Sequence, residues 1–343
     1  MSTKRIAFCL GLAAWFAGPS ARANLAFNLI PDPGTPQYAM DGFAAAANLW
    51  SVSLADNITV NLQVGFAPLA PNVIGETSSS FDEWTYAEVR AALDSRRNSP
   101  IDYSSFASLQ PGATFNRLIN HTSNNPNGPN SAEPYVDTMN RVGITTANAK
   151  ALGLLGPNGA ADATIRFSST FAFDFNHGAS IDPLKFDFVG AAAHEIGHAL
   201  GFISGVDDID TSNGQFPGGD FSSNMIDLFR YSAASLAAGP GYTDYTADTR
   251  TKYFSVDGGS SLNGSFSTGR VFGDGQQTSH WKDFQGIGIM DPTGSPGERL
   301  DISYTDLRVF DVMGYTLVPE PGVVALAAVG LLALLGNLCW RRK

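Results

Sequence analysis

The chain has 343 residues, with 21 Lys or Arg against 32 Asp or Glu, and its formal net charge at pH 7 is −11. This acidic balance argues against nucleic acid as a partner, because phosphate binding needs a basic surface. The length is enough for one large domain or for two tightly joined ones. The two cysteines, Cys9 and Cys339, lie near the chain ends. We therefore expect the central part to be held by its core, without disulfides.

Residues 1–23 have the pattern of a secretory signal peptide. Lys4 and Arg5 form a positive start, residues 6–16 are a short apolar run, and residues 21–23 form a small-x-small cleavage site. The apolar run is too short to span a membrane comfortably. We expect an exported protein whose mature chain starts near Asn24.

The chain from 24 to 318 reads as one α+β domain. The spacing of its apolar residues predicts helices at 39–50 and 86–96 and strands at 58–64 and 163–167. A loop is expected at 123–130 and half of a hairpin at 253–259.

A helix is predicted at 188–202, with Asp187 as its N-cap and Gly201 ending it in a left-handed turn. A last helix should begin at a capping box formed by Ser303 and Asp306 and stop at Gly314.

The helix at 188–202 contains the motif HExxH. On a helix His194 and His198 share one face, so both imidazoles can reach one zinc ion. Glu195 lies beside them, where it could activate a metal-bound water. The pentapeptide alone also occurs in ordinary buried helices, but Gly201 and Phe202 extend it to the more specific HExxHxxGF.

A catalytic zinc ion usually takes a third protein ligand, and several positions compete for that role. One option is a glutamate from a following helix, but the stretch 196–297 contains no glutamate, so this option is nearly excluded. Ser204 stands where HExxHxxGxxH would have its last histidine, and a neutral hydroxyl is a poor zinc ligand. Asp207 and Asp208 lie just beyond it and could substitute.

A distant histidine is the remaining option. His121 and His177 stand in polar loop or turn contexts, and both are expected to be surface residues. His280 stands in the sequence Ser-His-Trp, and Met290 follows ten residues later between Gly-Ile and Asp-Pro.

In these features the chain resembles the metzincin zinc peptidases, most closely the leishmanolysin-like branch, in which a long insertion precedes the third histidine. The matching residues are His194, Glu195, His198, Gly201, Phe202, His280, Trp281 and Met290. The resemblance implies a mixed twisted sheet packed on the HExxH helix, an insertion at 205–270 and a C-terminal helix. The N-terminal half matches only as strands and a helix before the zinc helix.

The resemblance also implies one catalytic Zn²⁺ held by His194, His198 and His280. Met290 would lie beneath the ion as a packing floor and would not bind it. The expected activity is hydrolysis of peptide bonds in a protein or peptide substrate by a zinc-activated water, with Glu195 as general base. The alternatives are a catalytically silent surface or matrix protein and a zinc hydrolase acting on other substrates.

Other groups near the site have weaker claims. Asp187 or Asp207 could orient the histidines from behind. Tyr304 and Tyr315 could stabilise an oxyanion by their chemistry alone, although core packing fits both better. Structural Ca²⁺ is unsupported, since no loop has EF-hand or nonapeptide-repeat spacing.

The tail at 319–343 combines Pro-Glu-Pro, an apolar helix predicted at 322–340 and a basic end. It resembles the PEP-CTERM sorting signal of Gram-negative bacteria. The resemblance implies transient anchoring in the inner membrane and cleavage by an exosortase-type enzyme, followed by secretion or attachment to the cell surface or extracellular matrix. A plain C-terminal membrane anchor is the alternative.

Overall fold

The computed structural model describes residues 25–319. The predicted signal peptide at 1–23 lies outside the described residues, and so does the sorting signal beyond its first residue. Within 25–319 no helix is long and apolar enough to cross a membrane.

The described chain is α+β, with helices and strands interspersed. Its α-helices are α1 (Gln37–Ser51), α2 (Tyr86–Arg96), α3 (Pro100–Ser108), α4 (Thr146–Leu152), α5 (Phe188–Ala199), α6 (Val206–Ser212), α7 (Ala233–Ala238) and α8 (Tyr304–Val312). Its strands are β1 (Ala26–Pro31), β2 (Thr59–Ala67), β3 (Gly75–Ser79), β4 (Phe81–Thr85), β5 (Phe115–Ile119), β6 (Tyr135–Met139), β7 (Arg141–Thr145), β8 (Ala163–Ser168), β9 (Phe173–Asp174), β10 (Phe186–Asp187), β11 (Ser223–Asn224), β12 (Arg230–Tyr231), β13 (Thr243–Tyr245), β14 (Lys252–Phe254) and β15 (Gly264–Phe266). Short 3-10 turns lie at Gly218–Asp220 and Met225–Phe229.

Most of the predicted elements are confirmed. The helix expected at 86–96 is α2, which starts at a capping box between Thr85 and Glu88. The helix expected at 39–50 is α1, and Phe43 and Trp50 lie on its buried face. The predicted strands are β2 and β8, and β14 pairs with β15 as a hairpin.

The main sheet has the strand order β1-β2-β8-β3, with β1, β2 and β8 parallel and β3 antiparallel to β8. Helices α1 and α5 pack on each other, and α5 also packs on β3 and β8. Phe188, the first residue of α5, meets Phe43 with ring centroids 5.1 Å apart and Phe167 at 5.0 Å. Such aromatic pairs stabilise beyond their buried area by about 0.5–1.5 kcal/mol each, so they fix the start of α5 on the sheet.

The segment 205–270 pairs with strands of the N-terminal half and packs into the main core. Its strand β13 pairs in parallel with β5, and its strand β11 pairs in parallel with β7. Met225 and Phe229 from this segment are buried in the main core. Although the sequence suggests an insertion, the segment completes sheets that the N-terminal half begins.

The last helix, α8, begins at the predicted capping box of Ser303 and Asp306. Gly314 follows its end with φ of +92°, a conformation that favours glycine. Phe310 packs on Trp50 with ring centroids 4.6 Å apart. Helix α8 therefore lies against α1, close to the far end of α5.

Candidate metal centre

Local sequence sets both ends of α5. The side chain of Asp187 accepts a hydrogen bond from Gly190 N at 3.0 Å, as an N-cap does. At the other end Gly201 has φ of +120°, its N–H donates to His198 O, and Phe202 N donates to Gly197 O, both at 3.0 Å. This pair of bonds is a Schellman motif, and it confirms the predicted left-handed end of the helix.

The structure brings His194, His198 and His280 together. The Nε2 atom of His198 lies 3.0 Å from that of His194 and 3.2 Å from that of His280, and the third pair is also 3.2 Å apart. Among the described residues these three form the group of side chains that could hold a metal ion.

The other ring nitrogens show that the three Nε2 atoms point lone pairs at one another. Each Nδ1 faces a backbone carbonyl: Ile289 O at 2.7 Å, Phe202 O at 2.8 Å and Gln277 O at 3.3 Å for His194, His198 and His280. A carbonyl only accepts, so each Nδ1 carries the proton and each Nε2 is an acceptor. Three acceptors cannot bond to one another, and a cation between them removes this conflict.

The distances also suit a tetrahedral ion. With metal–nitrogen bonds of about 2.0–2.1 Å, tetrahedral geometry separates neighbouring nitrogens by about 3.3 Å. The observed separations of 3.0–3.2 Å need only a small expansion to admit the ion.

The surroundings keep the imidazoles of His198 and His280 neutral. Burial, with a smaller contribution from His194, lowers the pKa of His198 to about 3. Burial and the two neighbouring histidines also hold the pKa of His280 well below its usual range. Neutral imidazole is the form that binds a metal, so these two side chains are in the binding form at neutral pH.

His280 stands on a loop that buried polar groups hold in place. The Asp207 carboxylate accepts hydrogen bonds from Thr278 N at 2.7 Å and Ser279 N at 3.2 Å, and from the Ser279 hydroxyl. Ser204 N donates to Ser279 Oγ at 3.0 Å. Asp207, a possible ligand by sequence, thus shapes the backbone just before His280 and does not join the metal group.

A second carboxylate holds the chain after His280. Asp306, at the start of α8, accepts from Trp281 Nε1 and Ile289 N, both at 2.8 Å, and from Met290 N at 3.4 Å. Trp281 N also donates to Met290 O at 2.9 Å. The loop is thereby closed on itself, with the Ile289 carbonyl aimed at His194.

Met290 is fully buried beneath α5. A Cβ atom placed on Gly197 would come within 2.5 Å of Met290 Sδ, so any larger residue at this point of the motif would require the Met290 side chain to shift. The position suits a packing floor, and the role of Met290 as such stays a prediction.

Glu195 has a partner that sequence reasoning missed. Thr77 Oγ, on β3, lies 2.5 Å from Glu195 Oε2 and 3.1 Å from the Glu195 backbone carbonyl. Burial raises the pKa of the Glu195 carboxyl, while His194 and Thr77 act in the opposite direction. No alternation of apolar residues marks β3, so nothing local in the sequence pointed to Thr77.

These groups line a cleft of about 1000 Å³ that also contains residues 72–77 of the β3 region. The cleft is rich in carboxylates, and Arg270 is its one arginine or lysine among the described residues. Asp82, Asp208 and Asp220 on its wall form no ion pair within 25–319. Asp208, Asp220 and Arg270 all come from the segment 205–270, which thus contributes to the wall of the cleft.

Two histidines are placed differently from the sequence expectation. His121 is buried and stacks on Phe272 at 3.7 Å between ring centroids, so it is not a surface residue. His177 has a side chain only 10% exposed, and its Nδ1 lies 2.8 Å from Asp187 Oδ2. The expectation of surface positions is wrong for both, because distant segments of the chain cover these polar loops.

The expected orienting and oxyanion groups also differ. Asp187 contacts His177 and caps α5, and the metal-site histidines are instead oriented by backbone carbonyls. Tyr315 is buried and donates to Leu200 O at 2.8 Å, and the exposed Tyr304 does not line the cleft. Neither tyrosine lines the cleft, so neither has the position expected of an oxyanion donor.

Comparison of the chain with family models, curated proteins and solved structures gives no match.

Proposed function

We propose that this protein is a zinc-dependent endopeptidase of the metzincin type, closest to the leishmanolysin-like branch. The observation that carries the proposal is the convergence of three histidine Nε2 atoms in an open cleft, with a glutamate next to the first of them. Three imidazole ligands with one position left open are the usual arrangement of a catalytic zinc site.

Zinc is favoured over other ions by the donor set. Three neutral imidazoles suit zinc, copper, iron or nickel, whereas magnesium and calcium prefer oxygen ligands. The near-tetrahedral spacing of His194, His198 and His280 is compatible with zinc and supports this choice within the first group.

The chemistry divides between the ion and the protein. A zinc ion held by the three histidines would supply Lewis-acid activation of a water molecule and of the scissile carbonyl. Glu195 takes the proton from the attacking water and delivers it to the leaving amine. The raised pKa of Glu195 suits this exchange, because it brings the carboxyl closer to the pH at which it must both gain and lose a proton.

The edge of the main sheet favours a peptide as the substrate. Strand β3 ends the strand order, and among the described residues it pairs with β8 alone. The same strand borders the cleft through Gly75, Glu76 and Thr77. An extended peptide can add to such an edge by main-chain hydrogen bonds, which brings its carbonyls past the metal site.

The proposal includes the terminal segments. The leader at 1–23 would direct export, and the tail at 319–343 would be recognised by an exosortase-type enzyme after transient anchoring of the helix predicted at 322–340. The support for these steps is the sequence pattern alone.

A cleavage assay on the zinc-loaded full-length protein tests the activity. Because the cleft is acidic, the probe is a mixed library of neutral and basic peptides, with products identified by mass spectrometry. We expect internal cleavage that a chelator abolishes and added zinc restores. Glu195→Gln should keep zinc and lose about 10²–10⁴-fold in rate, which is the usual contribution of a general base. Glu88→Gln, a matched change in the remote cap of α2, should remain active.

Two outcomes would contradict the proposal or part of it. A zinc-loaded wild type that cleaves no peptide would favour the silent surface protein or, if it hydrolyses a panel of esters and amides, a non-peptide hydrolase. Full activity of Glu195→Gln would remove the general-base role.

A further inference from the structure

We infer that Thr77 is a positioning residue that holds the Glu195 carboxylate in place for proton transfer. The inference rests on the proposed function, because it concerns the general base of that reaction. It assigns a role in the chemistry to a strand that lies more than a hundred residues before the motif helix.

The contact has the geometry of a strong hydrogen bond. Thr77 Oγ lies 2.5 Å from Glu195 Oε2 and 3.1 Å from the Glu195 carbonyl oxygen, so its single proton points best at the carboxylate. Hydroxyl-to-carboxylate bonds of about 2.5–2.7 Å are charge-assisted and roughly twice as strong as neutral ones.

Thr77 is itself held firmly. Its register partner on β8 is Ile165, which is fully buried, so the backbone of β3 at this point is fixed by the sheet. A β-branched side chain on a strand also has few χ1 rotamers. The hydroxyl therefore has a defined position, whereas a glutamate side chain has three rotatable bonds.

The two carboxylate oxygens of Glu195 therefore have different roles. Thr77 occupies Oε2, and within 25–319 no hydrogen bond reaches Oε1. Oε1 is thus the oxygen that accepts the proton of the attacking water and passes it to the leaving amine, and the carboxylate returns to its starting state. Misplacing such a group by about 1 Å can cost about 10²-fold in rate.

A purely structural tie between β3 and α5 is the competing explanation, and Ser79 supplies the matched control. Ser79 lies two residues further along β3, and its hydroxyl contacts the backbone carbonyl of His198 at 3.4 Å. Ser79→Ala removes a contact between the same strand and helix but leaves the Glu195 carboxylate untouched.

The experiment compares Thr77→Val, Thr77→Ser and Ser79→Ala in the zinc-loaded full-length protein. We expect equal zinc content in all three. On a peptide cleaved by the wild type, Thr77→Val should lose about 10–100-fold in kcat with KM changed less than about twofold. Thr77→Ser should recover most of the rate, and Ser79→Ala should stay near wild type.

Crystal structures of the wild type and Thr77→Val provide a readout that does not depend on activity. The Glu195 carboxylate should leave its position, or adopt several positions, when Thr77 is valine. An unchanged carboxylate position in Thr77→Val overturns the inference even if the protein cleaves no peptide. Equal losses of kcat in Thr77→Val and Ser79→Ala also overturn it, because they indicate a structural tie. A wild type that binds zinc but cleaves nothing removes the proposed function while the crystallographic comparison still decides the role of Thr77.

Discussion

The two sides of the candidate metal centre are built in different ways. Helix α5 presents His194, Glu195 and His198 within five residues, on a frame set by its caps and by aromatic packing at Phe188. His280 comes 82 residues after His198, from a loop without regular structure. Two carboxylates, the partly buried Asp207 and the buried Asp306, hold this loop in place of helical hydrogen bonds.

The two sides should therefore respond differently to single substitutions. A helix distributes its stability over many backbone bonds, so single side chains outside its packed face matter little. The loop depends on Asp207 before His280 and on Asp306 after it, and each accepts several buried donors. Loss of either carboxylate leaves those donors without acceptors, which lowers the free energy of unfolding.

Removing the loop ligand should have the largest effect. His280→Ala is expected to lower zinc affinity by more than the roughly 10–100-fold that loss of an outer-shell partner costs. Competition with a chromophoric chelator measures the affinity. His121→Ala, which removes a buried histidine outside the centre, should keep one zinc per chain. Full zinc occupancy in His280→Ala would point back to Asp207 or Asp208 as the ligand.

Asp306→Ala should have the next largest effect. It leaves the Trp281 indole N–H and the backbone N–H groups of Ile289 and Met290 without hydrogen-bond acceptors. We expect the free energy of unfolding to fall by about 3 kcal/mol or more, from about 1–3 kcal/mol for each unpaired buried group. Urea denaturation measures it, with the exposed Asp301→Ala as control. Equal stability of the two variants would show that α8 does not hold the loop.

Asp207→Asn should weaken zinc binding more than it lowers the stability of the fold. The amide can still accept one hydrogen bond, but its NH₂ group opposes the donors of Ser279, so the backbone before His280 shifts. We expect zinc to bind about 10–100-fold more weakly. The neighbouring Asp208→Asn, at an exposed position, should bind zinc as the wild type does. An unaltered zinc affinity in Asp207→Asn would remove the argument that this carboxylate builds the site.

On the helix side, Gly201→Ala strains the turn that aims the Phe202 carbonyl at His198 Nδ1. A side chain at φ of +120° should cost about 1–3 kcal/mol in the free energy of unfolding. Zinc affinity should fall less than in Asp207→Asn, because the helix still presents both histidines. Thermal unfolding and zinc titration measure the two effects. A larger loss of zinc in Gly201→Ala than in Asp207→Asn would reverse the contrast between the two sides.

The last prediction concerns the pH dependence of stability, through Asp311 in α8. Burial, together with the neighbouring Asp102, raises the pKa of Asp311 from 3.8 to about 7. The folded state therefore binds this proton more tightly than the unfolded chain does. Its stabilising contribution is complete below about pH 3.8 and is lost as the pH rises through 7.

Asp311→Asn stays neutral and should remove this loss. The variant should gain stability relative to the wild type between pH 5 and pH 8, as urea denaturation at the two pH values would measure. A wild-type-to-variant difference that does not change with pH would show that Asp311 is ionised throughout.

The sequence predicted the helix side well because its signals are local. The cap at Asp187, the period of α5 and the turn at Gly201 all lie within fifteen consecutive positions. The pairing of HExxHxxGF with His280 needed a family resemblance, since no local rule joins residues so far apart.

What the sequence did not predict depends on contacts between distant segments. Thr77 reaches Glu195 across the sheet, and Asp306 reaches back to the chain after His280. His121 looked exposed in its polar loop, yet Phe272 stacks on it. Tertiary packing decides such contacts, and periodicity and capping signals carry no information about them.

Zinc-edge anomalous diffraction from crystals of the zinc-loaded protein shows which side chains hold the ion. We expect one strong peak about 2.0–2.1 Å from the Nε2 atoms of His194, His198 and His280, with the Glu195 carboxylate beside the open position. A peak bound by two histidines and a carboxylate, or no peak between the three rings, would contradict it.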